Sequence, residues 1–252
     1  MDKAERQERV IAFVRRKGFA SVEDLSVQLG VTAQTIRRDI QALSDAGALR
    51  KYHGGAGLPA TAGGVAYKTR KIQNIEAKRR IGARVAAMIP DGAALFIDTG
   101  TTCEAVAEAL TARHRLRVIT NNLHVAHFLA DHTDFEIAVA GGFIRNADGG
   151  VLGDPAVEFL AQFRFDVAVI GISAIDDDGM MMEYDHREVQ VTRAALRQAR
   201  ATIVASDASK FGRSALVCLG HIGDAKALVT DAAPDGPLAA AIVAAGVEVA
   251  VA

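Results

Sequence analysis

The chain has 252 residues, half of them apolar, and a formal net charge of −1. That composition supports one large core plus a small module, and with no 18-residue apolar run and no signal-peptide pattern it argues against a membrane-spanning or exported chain and predicts a soluble, cytoplasmic protein. Two cysteines, Cys103 and Cys218, make no metal or disulfide framework and fit a reducing compartment. The near-neutral total hides an asymmetry. Residues 1–80 carry sixteen Lys/Arg and eight Asp/Glu, a net of +8, whereas residues 81–252 carry thirteen and twenty-two, a net of −9. A basic front on an acidic back suits a polyanion-binding module joined to a domain with another task.

In chain order, a first helix is expected from about Lys3 to Lys17, with Val10, Ile11 and Val14 inward and a stop at Gly18. Ser21 is a good N-cap for a second helix, with Glu23 and Asp24 in its first turn. Leu25 and Leu29 share one face, and Gly30 ends it. Thr32 can cap a third helix whose apolar face is Ile36, Ile40 and Leu43. At about 100° per residue, Gln34, Arg38 and Gln41 point away from that face, with Thr35 and Arg37 on its shoulders. Such a helix suits the DNA major groove: arginine grips guanine, glutamine grips adenine, and either holds phosphate. The bland alternative is a solvated amphipathic helix. Leu49–His53 reads as a strand and Gly54–Gly57 as its turn, which completes a winged helix-turn-helix with Arg50, Lys51 and His53 along the DNA backbone. Double-stranded operator DNA is then the partner, and a homo-dimer or homo-tetramer supplies paired recognition helices.

Residues 58–69 lack apolar periodicity and read as a linker, so residues 1–57 form one predicted domain and residues 70–252 the other. In the second, a helix with Ile81, Val85 and Met88 on one face precedes apolar runs at 94–97, 117–120, 136–140, 167–172, 202–206, 227–230 and 247–251. Helical patterns at 103–110, 123–130, 155–162, 187–200 and 238–245 alternate with them. The expected fold class is α/β, a largely parallel sheet covered on both faces.

Ligands on such sheets sit at the carboxyl ends of the strands. There the first run empties into Asp98-Thr-Gly-Thr-Thr102, directly before a helix. Unpaired N–H groups, the helix dipole, Gly100 and the hydroxyls of Thr99, Thr101 and Thr102 invite phosphate; the alternative is a helix cap with no ligand. Asp98, an anion, suits a ligand hydroxyl instead. Asn121 and Asn122 follow the second run, Arg145 stands beyond Gly141-Gly142, and Lys210 follows the run at 202–206, so that these residues would make one concave, anion-seeking site. Glu183, Asp185 and Glu188 can bind sugar or glycerol hydroxyls or cap the helix near Arg187. His124 and His127 lack further ligands, the acidic stretch 176–179 reads as a turn, and no metal or other cofactor is implied. Cys103 is either a helix-terminus thiol of lowered pKa or a small buried residue.

At these residues the chain resembles the DeoR family of bacterial transcription regulators. The resemblance rests on Thr35-Ile-Arg-Arg-Asp-Ile40, His53-Gly-Gly-Ala56, Asp98-Thr-Gly-Thr-Thr102, Thr120-Asn-Asn-Leu123, Ala140-Gly-Gly142, Gly171-Ile-Ser173 and Asp207-Ala-Ser-Lys210. It implies a sensor domain similar in fold to sugar-phosphate isomerases and a phosphorylated sugar or polyol as effector. Within the family, segments such as Phe96-Ile-Asp98, Asp148-Gly-Gly150 and Ser209-Lys-Phe-Gly-Arg213 resemble members that answer to glycerol 3-phosphate. The expected function is a repressor released from its operator by that effector, with no catalytic residue. A regulator answering to another phosphosugar is one alternative. The other is a working isomerase fused to a DNA module, with Glu188 or Asp98 as base and Lys210 as electrophile.

Overall fold

A computed structural model describes residues 2–17, 19–52, 54–57, 67 and 70–252, with the backbone alone at 15–17, 19, 50 and 52. The amino-terminal module has its own core. Helix α1 (Lys3–Lys17), strand β1 (Phe19–Ser21), helix α2 (Val22–Leu29) and helix α3 (Ala33–Asp45) follow in turn. The caps are those expected. Ser21 Oγ accepts from the Asp24 N–H, Gly30 closes α2 at φ 64°, and Thr32 Oγ1 accepts from the Thr35 N–H. Val10, Val14, Leu25, Ile36, Ile40 and Leu43 pack together, while Ile11 is only half-buried. Arg6 Nε meets the buried Asp39 carboxylate at 2.6 Å, and Gln7 adds a bond at 3.3 Å, tying α1 to α3.

Strand β2 (Arg50–Tyr52) begins one residue after the Leu49 start expected for it, and the glycine stretch needs a correction. Gly55–Gly57 is not a turn but strand β3, the centre of a three-stranded sheet in the order β1-β3-β2. Only Gly54, at φ 86°, turns. Glycine disfavours strands, but here Ala56 is fully buried and both edges of the segment are hydrogen-bonded. Gly18, His53 and the linker expected at 58–69, Tyr67 apart, lie outside the described residues.

The second unit is built on a seven-stranded sheet. Its strands are β4 (Ala94–Ile97), β5 (Arg117–Thr120), β6 (Glu136–Val139), β9 (Phe165–Ile170), β12 (Ala199–Ala205), β14 (Ala227–Thr230) and β15 (Glu248–Val251). They run in the order β15-β14-β12-β9-β4-β5-β6, and every pairing is parallel. Side chains alternate across the sheet. Leu95, Ile97, Val118, Val169 and Ile203 face α4 (Ile75–Met88), α5 (Thr101–Ala109) and α6 (Leu123–His132). Phe96, Ala168, Ile170 and Val204 face α7 (Asp154–Leu160), α8 (His186–Leu196) and α9 (Gly236–Ala245). Both faces are therefore covered, which is why the strands read as apolar runs. Among the described residues no helix is long and apolar enough to cross a membrane.

Two accessory pieces were not predicted: a hairpin of β7 (Phe143–Arg145) and β8 (Gly150–Leu152), and an antiparallel sheet of β10 (Ala174–Ile175), β11 (Met180–Glu183) and β13 (Val217–His221). The acidic stretch Asp176–Gly179 is the β10–β11 turn, with Gly179 at φ 85°. The order of strands reverses between β9 and β4: later strands add beyond β9, and β5 and β6 beyond β4. Such a switch point opens a crevice at the carboxyl ends of its two strands.

Candidate functional site

The third helix presents its polar side as expected. Gln34, Arg37, Arg38 and Gln41 are exposed and Thr35 is half-exposed, while Ile36, Asp39, Ile40 and Leu43 are buried. Asp39, the acid within this run, is turned inward onto Arg6, so it does not cancel the outward cations. Gln41 is not free: it donates to Asp45 at 2.7 Å and accepts from Lys51 at 2.8 Å, which ties the helix to the wing. Thr35 Oγ1 lies 3.0 Å from that of Thr32, as part of the cap. Arg50 sits in β2 opposite Gly57.

A cleft of about 570 Å³, counting the solvent at its mouth, opens at the β4/β9 crevice. Asp98, Thr99, Gly100, Thr101, Thr102, Glu188 and Lys210 line it, all of them predicted. Gly100 takes φ 111°, and no side chain caps α5, so the first-turn N–H groups of that helix are open to an anion. Four expected members do not line the cleft. Asn122 is consumed as the cap of α6, accepting from the His124 and Val125 N–H groups at 3.0 and 3.3 Å. Asp185 caps α8, accepting from the Arg187 N–H at 3.0 Å. Arg145 binds both oxygens of Asp148 at 2.7 Å and Glu188 at 2.7 Å, so its charge is already matched. Asn121 is fully buried behind the cleft, where its side-chain amide favours the charged form of Asp98.

Burial sets the electrostatics of the cleft. Desolvation, with the nearby charge of Glu188, pushes the Asp98 carboxyl up to about 7, against hydrogen bonds from the Thr99 N–H and the Thr192 hydroxyl. Desolvation and Glu188 also raise Glu183 to about 8, although Ser173 donates to it through both N–H and hydroxyl. Glu188 accepts from Thr99 Oγ1 at 2.7 Å. Burial lowers the ammonium pKa of both Lys78 and Lys210. The same effect holds the fully buried Cys103 thiol well above its usual range, which leaves it a small core residue.

Residues 6–62 match the DeoR-like helix-turn-helix domain, and residues 73–232 match the DeoR C terminal sensor domain. The chain belongs to the DeoR family. The glycerol-3-phosphate regulon repressor of Haemophilus influenzae is 44% identical over 236 residues, covering 94% of this chain and 92% of that one. The repressor of the same name from Escherichia coli is 43% identical over 234 residues, 93% of each chain. Among solved structures, ribose 5 phosphate isomerase A from Neisseria gonorrhoeae aligns at a TM-score of 0.41 with 14% identity, over 54% of this chain and 53% of that one. A likeness that loose carries nothing about chemistry.

In this DeoR-family chain, further residues reach the cleft from outside the strand-end loops. Arg70, Gln73 and Asn74 come from the approach to α4, Lys78 from α4 itself, Ser173 from the segment between β9 and β10, and Glu183 from β11. Glu183 had been visible only as an acid near a strand end. Lys78 did carry a signal. It stands with Ile81, Gly82 and Val85 on the buried face of α4, where a lysine needs acceptors. Its Nζ finds them in the carbonyls of Arg70 and Gln73.

The raised Asp98 carboxyl has a consequence for stability. In the unfolded chain it ionises near about 4. Between about pH 4 and 7 the folded protein therefore holds a proton that unfolding releases, and this contribution to stability falls as pH rises. Asp98→Asn cannot ionise. The melting temperature of wild type minus that of Asp98→Asn should fall from pH 5 to pH 8, and thermal melts across that range read it. A difference that rises with pH would contradict the buried, protonated carboxyl.

Proposed function

We infer that the chain is a DNA-binding transcriptional repressor released from its operator by a polyol phosphate, glycerol 3-phosphate. The single observation that carries the effector reading is the meeting of an uncapped helix N-terminus at Gly100–Thr102 with the half-buried Lys210 in one cleft. Phosphate suits that pair, and the buried carboxyls of Asp98 and Glu183 suit the hydroxyls of a small polyol. The names of the two relatives, which match over nearly the whole chain, support the same ligand and the same regulatory role. Residues 1–57 serve as the DNA-binding unit and residues 70–252 as the sensor, with residues 58–69 between them, and a dimer or tetramer pairs the recognition helices.

The chain is a regulator and not an enzyme: relatives aligned over 92–93% of their own length are named repressors. The two acids that an isomerase would use as base are also engaged, Glu188 by Arg145 and Thr99, and Asp98 by Thr192.

The test is retention of a DNA selected from a random-sequence pool, with and without glycerol 3-phosphate. The full chain should retain the DNA and release it as the ligand is added; retention indifferent to the ligand removes this effector. Arg38→Ala should weaken retention by roughly 1–3 kcal/mol if Arg38 reads a base. If it holds phosphate, the loss should be even across sequences and the salt dependence shallower. Unchanged retention takes Arg38 out of the interface.

A further inference from the structure

The cleft is roofed by the stretch that leads away from the DNA-binding module. Tyr67, which is buried, donates its hydroxyl to both carboxylate oxygens of Glu104, at 2.8 and 3.0 Å, and stacks on His124. Asn74, in the left-handed region at φ 54°, donates to Asp207 at 3.0 Å. Lys78 holds the carbonyls of Arg70 and Gln73 from below. Thr101 Oγ1 donates to the Arg70 carbonyl at 3.5 Å, which puts Arg70 beside the open end of α5. Tyr67 and Arg70 also fall between the two spans matched by the family domains, 6–62 and 73–232.

Arg70 is fixed at its backbone and under-used at its side chain. A guanidinium has five N–H donors and demands acceptors when buried. Arg70 Nε is buried and has no acceptor among the described residues. The carboxylate that pairs with it, Asp148, lies 3.7 Å from a terminal nitrogen. Both oxygens of Asp148 are already held by Arg145 at 2.7 Å, so Asp148 is satisfied without Arg70. A half-buried guanidinium with unspent donors, beside an uncapped helix N-terminus, is arranged to receive an anion.

We propose that Arg70 is a direct ligand of the effector's phosphate, acting with Lys210 and the Gly100–Thr102 loop. The proposal rests on the effector reading above and deepens it. Arginine can span two phosphate oxygens where lysine offers a point charge. The consequence is mechanical economy. One ligand of the effector is the first residue of the sensor, where the connection from the DNA-binding module ends, so binding restrains that end of the connection directly, with no relay across the sheet. A ligand that orders this stretch selects among arrangements of the two units, which is the differential contact that release from DNA requires.

The experiment compares full-length wild type, Arg70→Ala and Arg70→Lys by calorimetric titration with glycerol 3-phosphate and with inorganic phosphate, and by amide hydrogen exchange. Arg70→Ala should bind glycerol 3-phosphate roughly 10- to 100-fold more weakly, the loss expected for one charge-assisted hydrogen-bonding group, with Arg70→Lys between it and wild type. Saturating ligand should slow exchange of residues 70–74 and 99–103 in wild type, but only of 99–103 in Arg70→Ala. A purely structural Arg70 would show equal protection in both. Equal affinities in wild type and Arg70→Ala overturn the proposal alone. A wild type that binds neither probe overturns the effector reading and this proposal with it.

Discussion

Lys210→Ala should weaken glycerol 3-phosphate binding roughly 10- to 100-fold while leaving the affinity of the ligand-free protein for DNA unchanged within about twofold. The lysine follows β12, lines the cleft and is half-buried, and burial already lowers its ammonium pKa. No hydrogen bond or ion pair holds its Nζ among the described residues, so its charge is available to a ligand. Removing one charge-assisted hydrogen bond to a phosphate costs about 1.5–3 kcal/mol, which converts to that loss of affinity. Thr101→Val, which deletes a hydroxyl beside the same helix end, should act in the same direction. Because coupling between ligand and DNA is reciprocal, a protein that cannot bind the ligand stays on its operator at ligand levels that clear the wild type. DNA retention measured against ligand concentration reads this as a shift of the midpoint. A midpoint equal to wild type would put the phosphate elsewhere while leaving DNA binding untouched.

Gly82→Ala should destabilise the sensor more than any other glycine-to-alanine change on α4 and the loops that follow it. Helices α4 and α5 cross at this residue. A Cβ built on Gly82 would come within 2.8 Å of the Ala105 carbonyl carbon, closer still to its oxygen, and 3.1 Å from the Val106 nitrogen. All three are backbone atoms in the middle of α5, so no side chain can swing aside. The helices must part, and overpacking of this kind costs about 1–3 kcal/mol and occasionally more. In a domain of this size that lowers the melting temperature by roughly 2–4 °C per kcal/mol. The shift should also reach the ligand, since α5 begins at the Gly100–Thr102 loop. Gly92→Ala is the control: its Cβ meets nothing within 4 Å, and only its φ of 76° opposes the change. Thermal melts of both variants decide the matter, and equal, small shifts would mean that the crossing is slack.

The sheet was legible because burial on both faces turns a strand into an apolar run: 94–97, 117–120 and 227–230 match to the residue. The accessory strands were not. Ala174–Ile175 and Met180–Glu183 are short, and the partner of the latter, Val217–His221, lies far along the chain. Gly55–Gly57 was misread because composition reports what a residue prefers, not what its neighbours impose. The cleft divides along the same line. Asp98–Thr102 and Lys210 follow strands directly, so the strand–loop–helix pattern located them. Asn122, Asp185 and Arg145 stood at the right edge, but a cap, a second cap and the Asp148–Glu188 pair had prior use of them. Arg70 reaches the cleft through the packing of the chain ahead of α4, which no local pattern encodes, whereas Lys78 is marked by its place on the buried face of that helix.

The pairing of β4 with β9 sets an order of events during synthesis. Leu95 stands opposite Val167 in the parallel register, so the central seam of the sheet cannot close until the chain beyond Ile170 has left the ribosome. Among the described residues, the three helices and small sheet of the amino-terminal module pack and pair within residues 3–57. Local contacts form early and distant parallel pairings late. A nascent chain therefore passes through a stage at which the helix-turn-helix module is folded while the cleft at the β4/β9 crevice does not yet exist.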